Sequence, residues 1–296
     1  HVSVCNARIQ CVYDLIDEKF ICFTIDPYTK NDVKSAPELD LKQGDLVIRD
    51  RGYLTTSEIQ RHLQVNADCI YRHKSTTIYL ETQTGKVIDL LKELKVKTTL
   101  DSMVSLNDKD ATPVRLIALP VNEEIANIRR MKAKKEMKNK PSKEYLELLS
   151  WSIFITTISQ KIAESGFILK AYRLRWRIEI IFKSWKSNME FTKIHNVSQT
   201  QLSIILFARF IMIIICIQYI FSPGRMIIKK QLKKDLSMIK VVRYLTKNPL
   251  KIIAIVKELI NYKEKCTYHL KALGRYCTYE KRKRMNFEQE FLVSFS

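Results

Sequence analysis

The chain has 296 residues, room for one large domain or two ordinary ones, and 46% of them are apolar, which excludes wholesale disorder. Lysine and arginine outnumber aspartate and glutamate by 51 to 31, and a formal charge of +20 points to a polyanionic partner, either nucleic acid or an anionic membrane face. Seven cysteines form no CxxC pair, so they read as reduced cytosolic thiols; Cys5 and Cys11 lack the clustered partners that zinc requires.

In chain order, ARIQCVYD (7–14) and KFICFTI (19–25) read as two strands, with LIDE short enough to join them as a hairpin. Turn signals and a short helix follow in TKNDVKSAPEL. DLVIRDRGYL (45–54) reads as a buried strand, Leu46 to Ile48, that ends at Asp50 with Gly52 in the turn. Thr55, Thr56 and Ser57 offer caps to the amphipathic helix TSEIQRHLQV, and ADCIYRHK (67–74) is a further strand. Strand, helix, strand is an α/β unit. Residues 75–121 are rich in Thr, Val and Ile in short runs and read as a small β region. The run 129–143 holds eight Lys or Arg and one acid; it reads either as a solvated helix or loop, or as an arm that contacts phosphates.

WSIFITTI (151–158) returns to a buried strand, and AYRLRWRIEIIFKSWKSN (171–188) reads as a helix. LSIILFARFIMIIICIQYIF (202–221) is apolar at 17 of 20 positions. That length could span a bilayer, although Arg209 near its centre costs roughly 2.5–3.5 kcal/mol on insertion. The reading preferred here is a core helix, apolar all round, that covers the soluble α/β segments before it. Residues 223–296 carry 18 Lys or Arg against 6 acids, and Ile252, Ile255, Val256 and Leu259 recur at helical spacing, so the tail is expected to be a basic helical region.

One acid, Glu179, sits among Arg173, Arg175, Arg177, Lys183 and Lys186. At about 100° per residue along one helix from Tyr172, the side chains of Tyr172, Arg175, Glu179, Lys183 and Lys186 fall on a stripe about 80° wide. Leu174, Ile178, Ile181, Phe182 and Trp185 form the apolar face beside it, and Trp176 reads as core. An exposed ladder of ion pairs needs no Tyr and Glu at the margin of a core stripe; a site does.

The spacing Tyr-x2-Arg-x3-Glu-x6-Lys resembles the Tyr-Arg-Glu-Lys signature of bacterial insertion-sequence DDE transposases of the insertion-sequence-four family. DLVIRDRGYL resembles that family's strand ending in the second catalytic Asp, and WSIFITTI the strand before the Glu helix. The resemblance implies an α/β fold with an RNase H-like core, a β-rich insertion and a basic helical C-terminal tail. The expected division is 1–74 and 148–222 for the core, 75–147 for the insertion with its basic segment, and 223–296 for the tail. It further implies DNA strand cleavage and transfer with two Mg²⁺ or Mn²⁺ ions, hard cations that suit carboxylates. Asp50 and Glu179 would be catalytic residues and metal ligands, and Tyr172, Arg175 and Lys186 would bind DNA phosphates; Lys183, on the same stripe, is expected to bind them too. DNA, both insertion-sequence ends and target, is the expected partner, with homo-oligomers on DNA, no membrane and a cytoplasmic location.

The family's first catalytic Asp belongs on a strand ahead of residue 7, where HVSVCN contains none; Asp14, Asp26 and Asp32 are poor substitutes. The expectation is therefore a chain truncated at its N-terminus, impaired in catalysis and still able to bind DNA. The alternatives are a non-catalytic DNA-binding remnant and a basic membrane-associated protein anchored by 202–221.

Overall fold

The computed structural model describes residues 7–137, 139–190, 194, 197–263 and 267–279. Expectations that rest on residues 1–6, on Lys138 and on the tail beyond 279 fall outside the described residues. Strands β1 (Ala7–Asp14) and β2 (Lys19–Pro27) pair as the expected antiparallel hairpin, Asp14 opposite Lys19. A single turn, α1 (Asp32–Ser35), is capped by Asn31. Next come β3 (Leu46–Arg49), a short 3₁₀ turn Arg51–Tyr53, α2 (Thr56–Gln64) capped by Thr55, and β4 (Asp68–Arg72). They are followed by β5 (Tyr79–Glu81), α3 (Leu90–Lys97), β6 (Leu100–Leu106), β7 (Pro113–Pro120), α4 (Glu123–Glu136), α5 (Lys143–Leu148) and β8 (Trp151–Thr156). Helices complete the chain: α6 (Ser165–Arg173), α7 (Arg175–Asn188), α8 (Gln199–Ile214), a π-helical segment Ile215–Phe221, α9 (Ser222–Leu232), α10 (Met238–Lys247), α11 (Ile252–Ile260) and α12 (Tyr268–Tyr276). The chain divides into two compact units, Glu38–Arg175 and the combination of His1–Pro37 with Trp176–Ser296.

In the Glu38–Arg175 unit a six-stranded mixed sheet runs in the order β3-β4-β8-β7-β6-β5. β3 and β4 are parallel and joined through α2; every other neighbouring pair is antiparallel. Side chains alternate between the two faces of a strand. Cys69, Tyr71, Leu116, Ala118, Ile153 and Ile155 therefore join one core with Ile59 of α2 and Leu90 and Leu94 of α3. Ile70, Ile117 and Phe154 point the other way, onto Ile168, Ala171 and Tyr172 of α6. Cover on both faces explains the continuous apolar runs of β4 and β8. The β reading of 75–121 needs one correction: LLKELKVK forms α3, because Asp89 caps it and Leu90 and Leu94 at i, i+4 reach the core.

Arg115 of β7 is 1% exposed, yet every polar contact of its guanidinium is met. Nε and Nη2 donate to the two Asp101 carboxylate oxygens, both at 2.7 Å, and Nη1 donates to the Ala163 and Ile158 carbonyls at 2.7 and 3.2 Å. Gln160 donates to the Asp101 carbonyl at 2.9 Å. These bonds fasten the loop from β8 to α6, and so fix where α6 begins.

In the other unit, the β1–β2 hairpin packs on α7 and α8 around Phe20, Ile181, Trp185, Leu206, Phe210 and Ile213. Phe23 stacks on Phe210 with ring centroids 4.5 Å apart. The π segment and α9 to α12 share a second core of Ile220, Phe221, Ile228, Val241, Leu245, Ile255 and Leu270. Pro223 opens α9 and has no N–H for the carbonyl four residues back, so the widened π register sits just ahead of it. By length and composition the continuous helix Gln199–Leu232 could cross a membrane. It is not buried all round as expected: Leu202, Leu206, Phe210 and Ile213 are buried, whereas Ile204, Phe207 and Ile211 stay exposed on the opposite side.

Candidate nucleic-acid and metal-ion site

Asp50 follows the last residue of β3 and begins the 3₁₀ turn. Asp89, Asn122, Ser142 and Thr55 each use their side chain to cap the helix they precede, but the Asp50 carboxylate caps nothing. It faces the Tyr172 hydroxyl instead, which donates to Oδ1 at 3.4 Å, the long end of hydrogen bonding. The pairing of Arg49 with Tyr71 in the parallel ladder sets Asp50 level with Arg72, at the C-terminal ends of β3 and β4.

Tyr172 reaches this end of the sheet from α6. Ile168, Ala171 and Tyr172 lie at i, i+3 and i+4 and are all buried, and the Tyr172 ring meets Phe154 with centroids 5.0 Å apart. Burial pushes the phenol up from its ordinary value and Asp50 adds to this, while Arg175 and Arg72 pull it back. Tyr172 is thus a neutral donor at neutral pH. The Arg175 guanidinium lies 5.6 Å from the centre of the Tyr172 ring, a cation–π contact. Asp50, Tyr172 and Arg175 therefore come together within one unit.

The single helix read across 171–188 is corrected. It breaks at Leu174, whose N–H closes on Ala171 three residues back, a 3₁₀ step that rotates about 120° per residue rather than 100°. One wheel cannot be carried from Tyr172 to Lys186. Within α7 the pattern holds: Ile178, Ile181, Phe182 and Trp185 pack in the core, and Glu179, Lys183 and Lys186 follow one another at i, i+4 and i+7 on a neighbouring face. Glu179 is half-buried and both lysines are exposed. Trp176 is 63% exposed and is not core. Glu179, Lys183 and Lys186 belong to the second unit.

The other candidate acids are occupied elsewhere. Asp14 Oδ1 accepts from the amides of Ile16 and Asp17 at 2.8 and 3.0 Å and shapes the hairpin turn. Asp26 pairs with Lys30 at 2.8 Å, and Asp32 pairs with Arg8. Among the described residues there is no group of three or more His, Cys, Asp or Glu arranged to hold a metal. The donor chemistry of Asp50, a half-buried carboxylate with one weak hydroxyl contact, does suit a hard divalent ion.

Comparison with known proteins gives the family. The family described as the transposase DDE domain matches residues 3–215. The chain belongs to that DDE transposase family. Among relatives, the transposase for insertion sequence element IS231B of Bacillus thuringiensis subsp. berliner is 30% identical over 260 residues, covering 79% of this chain and 54% of the relative. That for IS231F of Bacillus thuringiensis subsp. israelensis is 26% identical over 259 residues, with the same coverage. That for IS1151 of Clostridium perfringens is 24% identical over 264 residues, covering 80% of this chain and 55% of the relative. The chain spans about half the length of the curated relatives it matches. The mixed α/β sheet is consistent with that family; sequence reading singled out Asp50 and Tyr172, which the structure brings together, and did not single out Arg72, an isolated cation at the end of an apolar strand.

Proposed function

We propose that the chain carries the phosphoryl-transfer region of an insertion-sequence transposase, with Asp50 and Glu179 as the carboxylates that hold Mg²⁺ or Mn²⁺. The observation that carries this reading is the Asp50–Tyr172 contact: an uncommitted carboxylate at the end of a parallel strand pair, met by the Tyr of the Tyr-Arg-Glu-Lys signature. When bound, two such ions activate an oxygen nucleophile and stabilise the leaving oxygen. The protein's own contribution is to present the carboxylates, and to hold the DNA backbone with Tyr172, Arg175, Lys183 and Lys186, whose donors offset its charge. The β3–α2–β4 unit would belong to an RNase H-like core, with a β-rich insertion at 75–147 and a basic tail from 223. Action on DNA places the protein in the cytoplasm, assembled as a homo-oligomer on insertion-sequence ends.

The test is plasmid nicking by a chimaera that joins this chain to the part of the IS231B transposase it does not span. Nicking is expected only with Mg²⁺ or Mn²⁺. Asp50→Asn and Glu179→Gln should each lower the rate at least about a hundredfold, since a lost metal ligand removes several kcal/mol and each ~1.4 kcal/mol is tenfold. DNA affinity should change less than about threefold. Metal-dependent nicking that survives both substitutions rejects the assignment.

A further inference from the structure

Beside Asp50 the sheet ends in a small cleft of about 40 Å³, lined by Arg51, Arg72, His73, Ser75, Tyr145 and Trp151 among others. We infer that Arg51 and Arg72 form a phosphate subsite of this cleft, which takes a backbone phosphodiester of bound DNA. The inference rests on the DNA-transposase reading above and adds a contact outside the Tyr-Arg-Glu-Lys signature.

Three observations carry it. First, Arg72 ends β4 and Arg51 lies in the 3₁₀ turn just past the end of its parallel neighbour β3, and neither guanidinium has a hydrogen bond or an ion pair among the described residues. Arg115, Arg129 and Arg130 of the same unit are instead engaged by carboxylates, hydroxyls or carbonyls. A guanidinium has five donors in a rigid fork that matches phosphate oxygens in pairs. Second, the lining of the cleft holds two arginines and no carboxylate. Burial and then Arg51 and Arg72 hold the His73 imidazole down to about 4, so it is neutral, and Arg72 also bears on Arg129. A third cation is thus avoided and two remain for an anion. Third, the cleft has room for the ligand. Space for about three waters admits the oxygens of a phosphate group. Trp151 cannot serve as a donor in the cleft, because its indole N–H is spent on the Thr98 carbonyl at 2.7 Å.

The experiment is arginine footprinting of the full chain with phenylglyoxal, read by peptide mass spectrometry, with and without a 30-base-pair duplex. Arg51 and Arg72 should react in the free chain and be protected at least about fivefold by the duplex; Arg115, fully engaged, should stay unreactive throughout. In a binding titration Arg51→Gln with Arg72→Gln should weaken duplex affinity about tenfold or more and reduce the slope of log K against log salt by about 1–2, as one or two phosphate contacts are lost. Arg51→Lys with Arg72→Lys, which keeps the charge, should retain the slope and lose part of the affinity; this pair guards against misfolding as the cause. Protection of Arg175 without protection of Arg51 and Arg72 overturns the subsite and leaves the DNA reading standing. Absence of protection at every arginine overturns both.

Discussion

At the scale of single residues, Arg115 shows how a buried charge is tolerated when each guanidinium nitrogen has an acceptor. Arg115→Met removes the cation and leaves two carbonyls and Asp101 without it. It is expected to cost about 2–4 kcal/mol in urea unfolding, below the range for a fully buried pair because Asp101 keeps some solvent contact. The Arg115 hydrogen bond holds the Asp101 carboxyl below its ordinary value. A depressed folded value gives stability that is present above the unfolded value of ~3.9 and is lost as pH falls through the folded one. The advantage of the wild type over Asp101→Asn should therefore be constant near neutrality and shrink below about pH 4; an advantage that grows with acid contradicts this pairing. Glu18 is a similar node. It is buried in the left-handed region at φ 54, and it accepts from Arg177 and Arg225 at 2.8 Å and from Ser222 at 3.1 Å. It ties the hairpin turn to α9 and, through Arg177 two residues ahead of Glu179, to α7.

At the scale of elements, α8 is the informative case. Its composition is apolar on every side, so composition cannot say which side packs. Packing against the hairpin chooses Phe210, which stacks on Phe23, and leaves Phe207 54% exposed. Phe210→Ala should cost about 3–5 kcal/mol and Phe207→Ala less than about 1 kcal/mol by denaturant unfolding. Equal losses would mean that α8 is rotated from the orientation described. The break between α6 and α7 belongs to this scale too. Each half keeps its own amphipathic spacing, and the 3₁₀ step at Leu174 ends the first.

For the whole molecule, the charge of +20 makes a strong prediction about binding. If about six phosphates are contacted, log K should fall with log salt at a slope near −5, and a salt-independent affinity would defeat the electrostatic account. Deleting the basic tail is not a clean way to test its share, because α9 to α12 complete a core with Cys216, Ile220 and Phe221. Glutamine at Lys229, Lys230 and Lys233 leaves that core alone. If the end of α9 lies on DNA, this triple substitution should lower the slope by about 2–3 while the unfolding midpoint stays put.

The sequence by itself determined many of the strands and helices, since periodicity and caps are local properties: the hairpin, the β3–α2–β4 unit, β8 and the amphipathic face of α7 were all legible. It also determined the family, because three motifs in order are carried by residue type and spacing alone. Tertiary structure decided what depends on neighbours distant in sequence. It showed that LLKELKVK is a helix against the sheet, that Trp176 stands in solvent while Trp185 is core, and that Asp14 is spent on a turn while Asp50 is not. It also showed that Arg72 stands level with Asp50 although 22 positions separate them. A side chain's partners are set by which strands lie side by side, and strand order is a property of the folded sheet, not of any window along the chain.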